Sequence, residues 1–152
     1  MWQGLFQLTN LVALAGWALL ILAPRRPLPL TLIMYLGVGL LCLVYVAAAA
    51  AVLAGLADPV PVAGAARPDL TDYSPAGLRA LFASDGGIVI GWTHYLAFDL
   101  FTGLWIARDA DAKGFARIAQ APVLLLTFLA GPAGLLVWLG LREPAARRRG
   151  RR

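Results

Sequence analysis

Charge is scarce in this sequence. Only 14% of its 152 residues are Asp, Glu, Lys or Arg, against roughly 25% in ordinary soluble domains. So little polar surface does not wrap a small soluble core. A disordered chain is excluded as well, because disorder needs high charge and few apolar residues. Cysteine and histidine are nearly absent, with Cys42 and His94 the sole examples. One cysteine makes no internal disulfide, and one residue of each kind makes neither a structural zinc site nor a bis-histidine haem site. No metal site is therefore expected. Internal repeats are missing too, which argues against solenoids and duplicated transporters. What is present in abundance is apolar: 61% of the chain is hydrophobic and the mean hydropathy is +0.76. The first expectation is an integral membrane protein whose main partner is the lipid bilayer.

The basic balance does not signal nucleic acid. Six Arg against one Glu in the tail 141–152 account for the whole net charge of +5. The pI of about 10.1 thus belongs to a tail, read as a topology and anionic-lipid signal, and no nucleic-acid partner is expected.

Four apolar runs predict an all-α fold in one membrane domain spanning 1–152, with transmembrane helices at about 5–23, 31–53, 88–107 and 122–141 and a basic tail at 142–152. The first run ends at Pro24-Arg25-Arg26-Pro27. It fits a cleaved export signal poorly, lacking a basic start and a small-residue cleavage site. A short connection joins it to the second run as a helical hairpin, and Ala47–Ala51 is expected to pack neighbours closely. Segment 57–87 holds four Asp and four Pro and reads as an extramembrane loop. Within it, Ser74-Pro75 is an N-cap and first helical position. Leu78, Leu81 and Phe82 give an apolar face, and Gly86-Gly87 a stop, so a short amphipathic interfacial helix is expected there. In the fourth run, Gly131, Pro132 and Gly134 predict a kink or a close approach. Five basic residues fall in the linkers on one side and eight on the other, which by the positive-inside rule favours both termini in the cytoplasm, whereas the first hairpin, whose charges follow the first helix, argues the reverse.

The third run, IVIGWTHYLAFDLFTGLWIA, carries His94 and Asp99 at membrane depth. An ionisable group there costs roughly 2.5–3.5 kcal/mol on insertion scales, so it is a functional candidate by default. Helical spacing puts Trp92, Tyr95, Asp99, Thr102 and Gly103 on one stripe and His94, Phe98, Phe101 and Trp105 on another, with His94 and Asp99 roughly 140° apart. By depth alone, Asn10 and Tyr45 fall level with His94, which suggests one polar layer. The bland readings are helix-to-helix hydrogen bonding for Asn10 and His94, a protonated structural Asp99, and ordinary packing for Tyr45, Trp92 and Trp105.

The stretch GWTHYLAFDLFTGLWIARDA, followed by PVLLLTFLAGPAGLLVWL, resembles the abscisic-acid-deficient-four-like membrane family, whose plant member is associated with neoxanthin synthesis. The opening LFQLTNLVALAGWALLILAPR is similar to that family's first helix. His94, Phe98, Asp99, Gly103, Asp109 and Gly131-Pro132 fall in its pattern. The resemblance implies a four-helix membrane protein of carotenoid metabolism and an epoxide-to-allene isomerisation, which needs an acid and a base but no redox cofactor. On that footing His94 and Asp99 are the expected acid–base pair, with Asn10 orienting the histidine. The expected contacts to a carotenoid or other long isoprenoid are Tyr45, Trp92, Tyr95, Phe98, Thr102 and Trp105. The Arg- and Ala-rich chain, without a transit-peptide pattern, is read as bacterial and placed in the inner membrane, and a unit this small is expected to form a homo-oligomer around a long ligand. Two other readings stay open: a non-catalytic membrane accessory or scaffold subunit, and a small proton-coupled transporter.

Overall fold

The computed structural model describes residues 1–149, with side chains to Glu143. The fold is all-α. Among the described residues the only extended pairing is an isolated bridge between Pro61 and Ser84.

Helix α1 (Trp2–Leu22) and helix α2 (Pro27–Leu53) are the two helices long and apolar enough to cross a membrane. Pro27 opens α2 in the first turn, where a missing N–H breaks no helical bond. A π-helical stretch, Ile33–Gly39, widens α2 in its first half. Helix α3 (Pro75–Leu81) is the expected short helix, and the Ser74 hydroxyl accepts the Gly77 N–H at 3.2 Å. Gly86 and Gly87 do not end it. They form the first turn of α4 (Asp85–Ala112), where the Ser84 hydroxyl caps the Gly87 N–H at 3.0 Å. The reason is space: a side chain at Gly86 would meet Trp2 and Pro59, and one at Gly87 the Leu81 carbonyl.

Helix α4 has 28 residues and a length of about 42 Å, ample to cross a bilayer. His94 and Asp99 dilute its apolar character, so among the described residues two helices rather than four meet both criteria.

The expected fourth span is two helices. Helix α5 (Arg117–Leu129) stops at Ala130, whose φ of −154° and ψ of 80° are not helical, and α6 (Gly131–Arg149) begins at once. The chain then turns back. The Trp138 indole N–H donates to Asp109 at 3.0 Å, its ring lies 5.1 Å from Phe115, and Arg142 reaches Asp109 at 2.9 Å. Helix α6 therefore returns to the end of the bundle from which α5 set out. The glycines permit this: a Cβ on Gly134 would collide with Thr127 of α5, and one on Gly131 with the Asp99 carboxylate.

The core lies where α1, α2 and α4 meet. Leu100 is fully buried and fills the space left by Gly16 of α1 and Gly37 of α2, while Trp17 covers Gly103 and meets Phe128 edge-on at 5.6 Å. Small residues opposite large ones give the close van der Waals packing that association needs where water does not drive it. Ala47–Ala51, by contrast, is half-buried to exposed, because α2 turns Ile33, Gly37, Val38 and Leu41 inward instead. Of the tail expected at 142–152, Arg142 closes onto Asp109, and the side chains from Pro144 onward lie outside the described residues.

Candidate ligand site along helix α4

Helix α4 presents two chemically different faces. On the first, Trp92 stacks on Tyr95 with ring centroids 5.6 Å apart and lies 6.2 Å from Phe6. Its indole N–H donates to the Asn10 side-chain oxygen at 3.2 Å, and the Asn10 amide donates to the Phe6 carbonyl at 2.7 Å. Asp99, one turn on from Tyr95, packs against Gly131 at the apex of the α5–α6 hairpin. The Thr102 hydroxyl is occupied by the Phe98 carbonyl at 2.8 Å.

On the second face, the His94 ring lies 5.4 Å from Tyr45 and 4.7 Å from Phe98. His94 is exposed. Among the described residues neither its imidazole nor the Tyr45 hydroxyl makes a hydrogen bond. Trp105 shares this stripe but lies at the other end, with the Arg142 guanidinium 5.6 Å above its ring.

The expected layer of Asn10, His94 and Tyr45 is thus divided. Tyr45 meets His94, whereas Asn10 bonds Trp92 on another face and does not orient the histidine. Depth along a helix says nothing about azimuth, and α1 and α2 flank different sides of α4. His94 and Asp99 likewise stand in separate surroundings.

A cavity of about 670 Å³ opens beside His94. Its walls are Tyr45, Val52 and Leu53 of α2 with Ile90 and His94 of α4, and its roof is the segment 57–87, here called the cap. Backbone pairs fasten the cap: Val62 N–H to Ala83 C=O at 2.9 Å and Gly86 N–H to Pro59 C=O at 2.9 Å. The Trp2 indole adds a bond to the Asp58 carbonyl at 2.8 Å. Gly91 lets Phe82 of the cap lie directly on α4, since a Cβ there would strike the phenyl ring. The sequence held a faint sign of this order. Asp58, Asp69 and Asp72 each accept the backbone N–H two residues on, at 2.8–2.9 Å, which is Asx-turn chemistry. The Thr71 backbone N–H and hydroxyl hold the Asp69 carboxyl below its usual range, and the Ser74 hydroxyl and backbone N–H do the same for Asp72.

The opposite end is closed by charge. Arg142 beside Asp109, with Lys113 and the Trp138 indole, holds its carboxyl down at about 2. The Arg25 guanidinium lies 3.4 Å from Asp111 and donates to Gln120 at 3.2 Å. Burial lowers the Arg25 pKa, and Asp111 opposes that shift. Arg117 donates to the carbonyls of Ile21 and Ala23 at 3.0 and 2.7 Å, satisfying the open end of α1. None of these roles was legible locally, except that Asp109 and Lys113 stand four apart on a helix.

A family model described as ABA DEFICIENT 4-like matches residues 4–138. No curated protein and no solved structure matches the chain.

Proposed function

The chain belongs to the ABA DEFICIENT 4-like family, and on that premise we propose that it is an integral membrane protein that binds and acts on a carotenoid-like isoprenoid. The observation that carries the reading is His94. An exposed imidazole in the apolar stretch of α4, flanked by aromatic rings and with no hydrogen bond among the described residues, lines an apolar cavity. In an apolar setting an unpaired polar group is costly, so an imidazole left open in this way is available to a ligand.

The membrane setting is supported by the outer surface. Leu11, Leu22, Tyr35 and Leu43 are each more than 60% exposed, and a water-soluble monomer rarely shows so continuous an apolar belt. In this reading α1, α2 and α4 cross the bilayer and the α5–α6 hairpin enters and leaves through one face. Arg25, Arg26, Arg108, Lys113, Arg117 and Arg142 then share that face, against Arg67 and Arg79 on the other. The positive-inside rule puts the hairpin end in the cytoplasm and the N-terminus on the far side, in place of two cytoplasmic termini.

For an epoxide ligand the chemistry balances without a redox cofactor. His94 takes a proton from a carbon next to the epoxide, the C–H electron pair becomes a new double bond, and the C–O bond breaks onto oxygen. The imidazolium returns the proton to that oxygen. Asp99 and Asn10 favour the second reading, that of a packing role: the Asn10–Trp92 bond joins α1 to α4, and Asp99 seats the hairpin apex.

The test is a pigment extract from a carotenoid-producing host with and without the gene. His94→Ala is expected to abolish the gene-dependent change while the protein still inserts. Asp99→Asn is expected to lower the amount of inserted protein and not the change per molecule. An unaltered pigment profile with His94→Ala ends the catalytic reading.

A further inference from the structure

We infer that the cavity under the cap receives one cyclic end group of the ligand, inserted end-on, and that His94 binds an oxygen substituent on that ring. The inference rests on the isoprenoid reading above and adds which part of the ligand is recognised, and where.

The volume of about 670 Å³ lies within the usual range for pockets that enclose a compact organic group. Val52, Leu53, Leu70, Phe82 and Ile90 make the walls apolar. Polar groups are few. The Ser84 hydroxyl is occupied in capping α4, which leaves His94 and Tyr45 as the polar side chains of the lining without a hydrogen bond among the described residues. An apolar ring with one oxygen function satisfies such a site, whereas a purely hydrocarbon ring leaves both polar groups desolvated without a partner.

The cap explains why the ligand enters by its end. It is tied to the first turn of α4 by backbone pairs and lies on Gly91 through Phe82, so the cavity has a fixed roof. Below His94 the same stripe of α4 continues through Phe98 and Phe101, 58% and 44% exposed, toward Trp105. From His94 to Trp105 this track is about 16 Å long. Flat apolar rings along a lipid-facing helix suit a rigid polyene. One molecule therefore places its ring beneath the cap and its chain along Phe98 and Phe101. Asp99, on the other face, takes no part in this recognition.

The experiment uses the full chain in detergent and reads the imidazole NMR signals of His94, which are unambiguous because the chain has one histidine. The probes are 3-hydroxy-β-ionone, a single oxygenated ring, and the corresponding ring hydrocarbon. The hydroxylated ring is expected to shift the signals saturably, and the hydrocarbon to bind about tenfold more weakly, the value of one hydrogen bond. Ala49→Trp fills the cavity from α2 and Ala66→Phe fills it from the cap, so a folding failure in one variant leaves the other to decide. Both are expected to abolish the shift. No shift in the wild-type protein, or an equal shift in both filled variants, overturns the proposal. A gene-dependent pigment change that survives both filled variants sinks this site and leaves the isoprenoid reading standing. A ring that binds the wild-type cavity alone, with no gene-dependent pigment change, does the reverse.

Discussion

At the hairpin end of the bundle charged side chains make the ties, while at the cap end the ties end on backbone carbonyls. Asp109 gathers Lys113, Trp138 and Arg142, and Arg25 and Gln120 meet at Asp111. At the cap, three bonds to backbone carbonyls, one from the Trp2 indole of α1 and two from the first-turn N–H groups of Asp85 and Gly86 of α4, fasten segment 57–87. The first arrangement depends on charge and leaves few polar groups open. The second is indifferent to charge and leaves His94 and Tyr45 facing a cavity. The comparison teaches that the two ionisable residues of the apolar stretch of α4 are not equivalent. Asp99 belongs to the closed half, seated against the hairpin, and His94 to the open one.

The largest effect is expected from Asp109→Ala. It strands two cations and an indole, and removing the shared partner of several charge-assisted bonds costs about 3 kcal/mol. Thermal unfolding in detergent checks this, with a fall well beyond that of any change in the cap. Next in size is Gly131→Val, whose side chain collides with Asp99; overpacking of this kind costs about 2 kcal/mol. The double variant with Asp99→Ala is expected to recover much of the loss, and failure to recover would separate Asp99 from the hairpin apex.

Acid sharpens the contrast. The Asp109 carboxyl sits at about 2, below the ordinary 3.8. A depressed folded-state value means that its stabilisation is fully present above about pH 4 and is lost as pH falls toward 2. Hydrogen exchange at the Trp138 indole should quicken over that window while exchange at the Trp2 indole, which bonds a backbone carbonyl, stays level. Asp109→Asn should remove the pH dependence. The smallest effect on stability is expected from His94→Ala, within about 0.5 kcal/mol, since the imidazole makes no hydrogen bond among the described residues. A large loss of stability there would place His94 in the closed half and break the comparison.

Much of the fold was readable residue by residue. The Ser74 cap, the two stripes of α4 and the length of α1 and α2 follow from local spacing and propensity. The cap's role was not readable, because the Asp58 and Pro59 carbonyls of its turns accept from N–H donors on α1 and α4, distant in the chain or hidden at a helix start. The division of Asn10 from His94 was not readable either, since helical periodicity fixes which residues share a face but not which neighbour that face meets.

The sequence by itself determined an all-α chain, poor in charge, with four apolar runs and two ionisable groups within the third; that two of its helices and not four are long and apolar enough to cross a membrane came from the helix bounds of the structure. Gly131-Pro132 also announced a break. Only the tertiary structure decided that the chain turns back there instead of continuing. A break is a local property of the backbone, but its direction depends on Trp138 and Arg142 finding Asp109, about thirty residues earlier in the chain. That same return decides which end of the bundle is closed by charge and which keeps an open cavity.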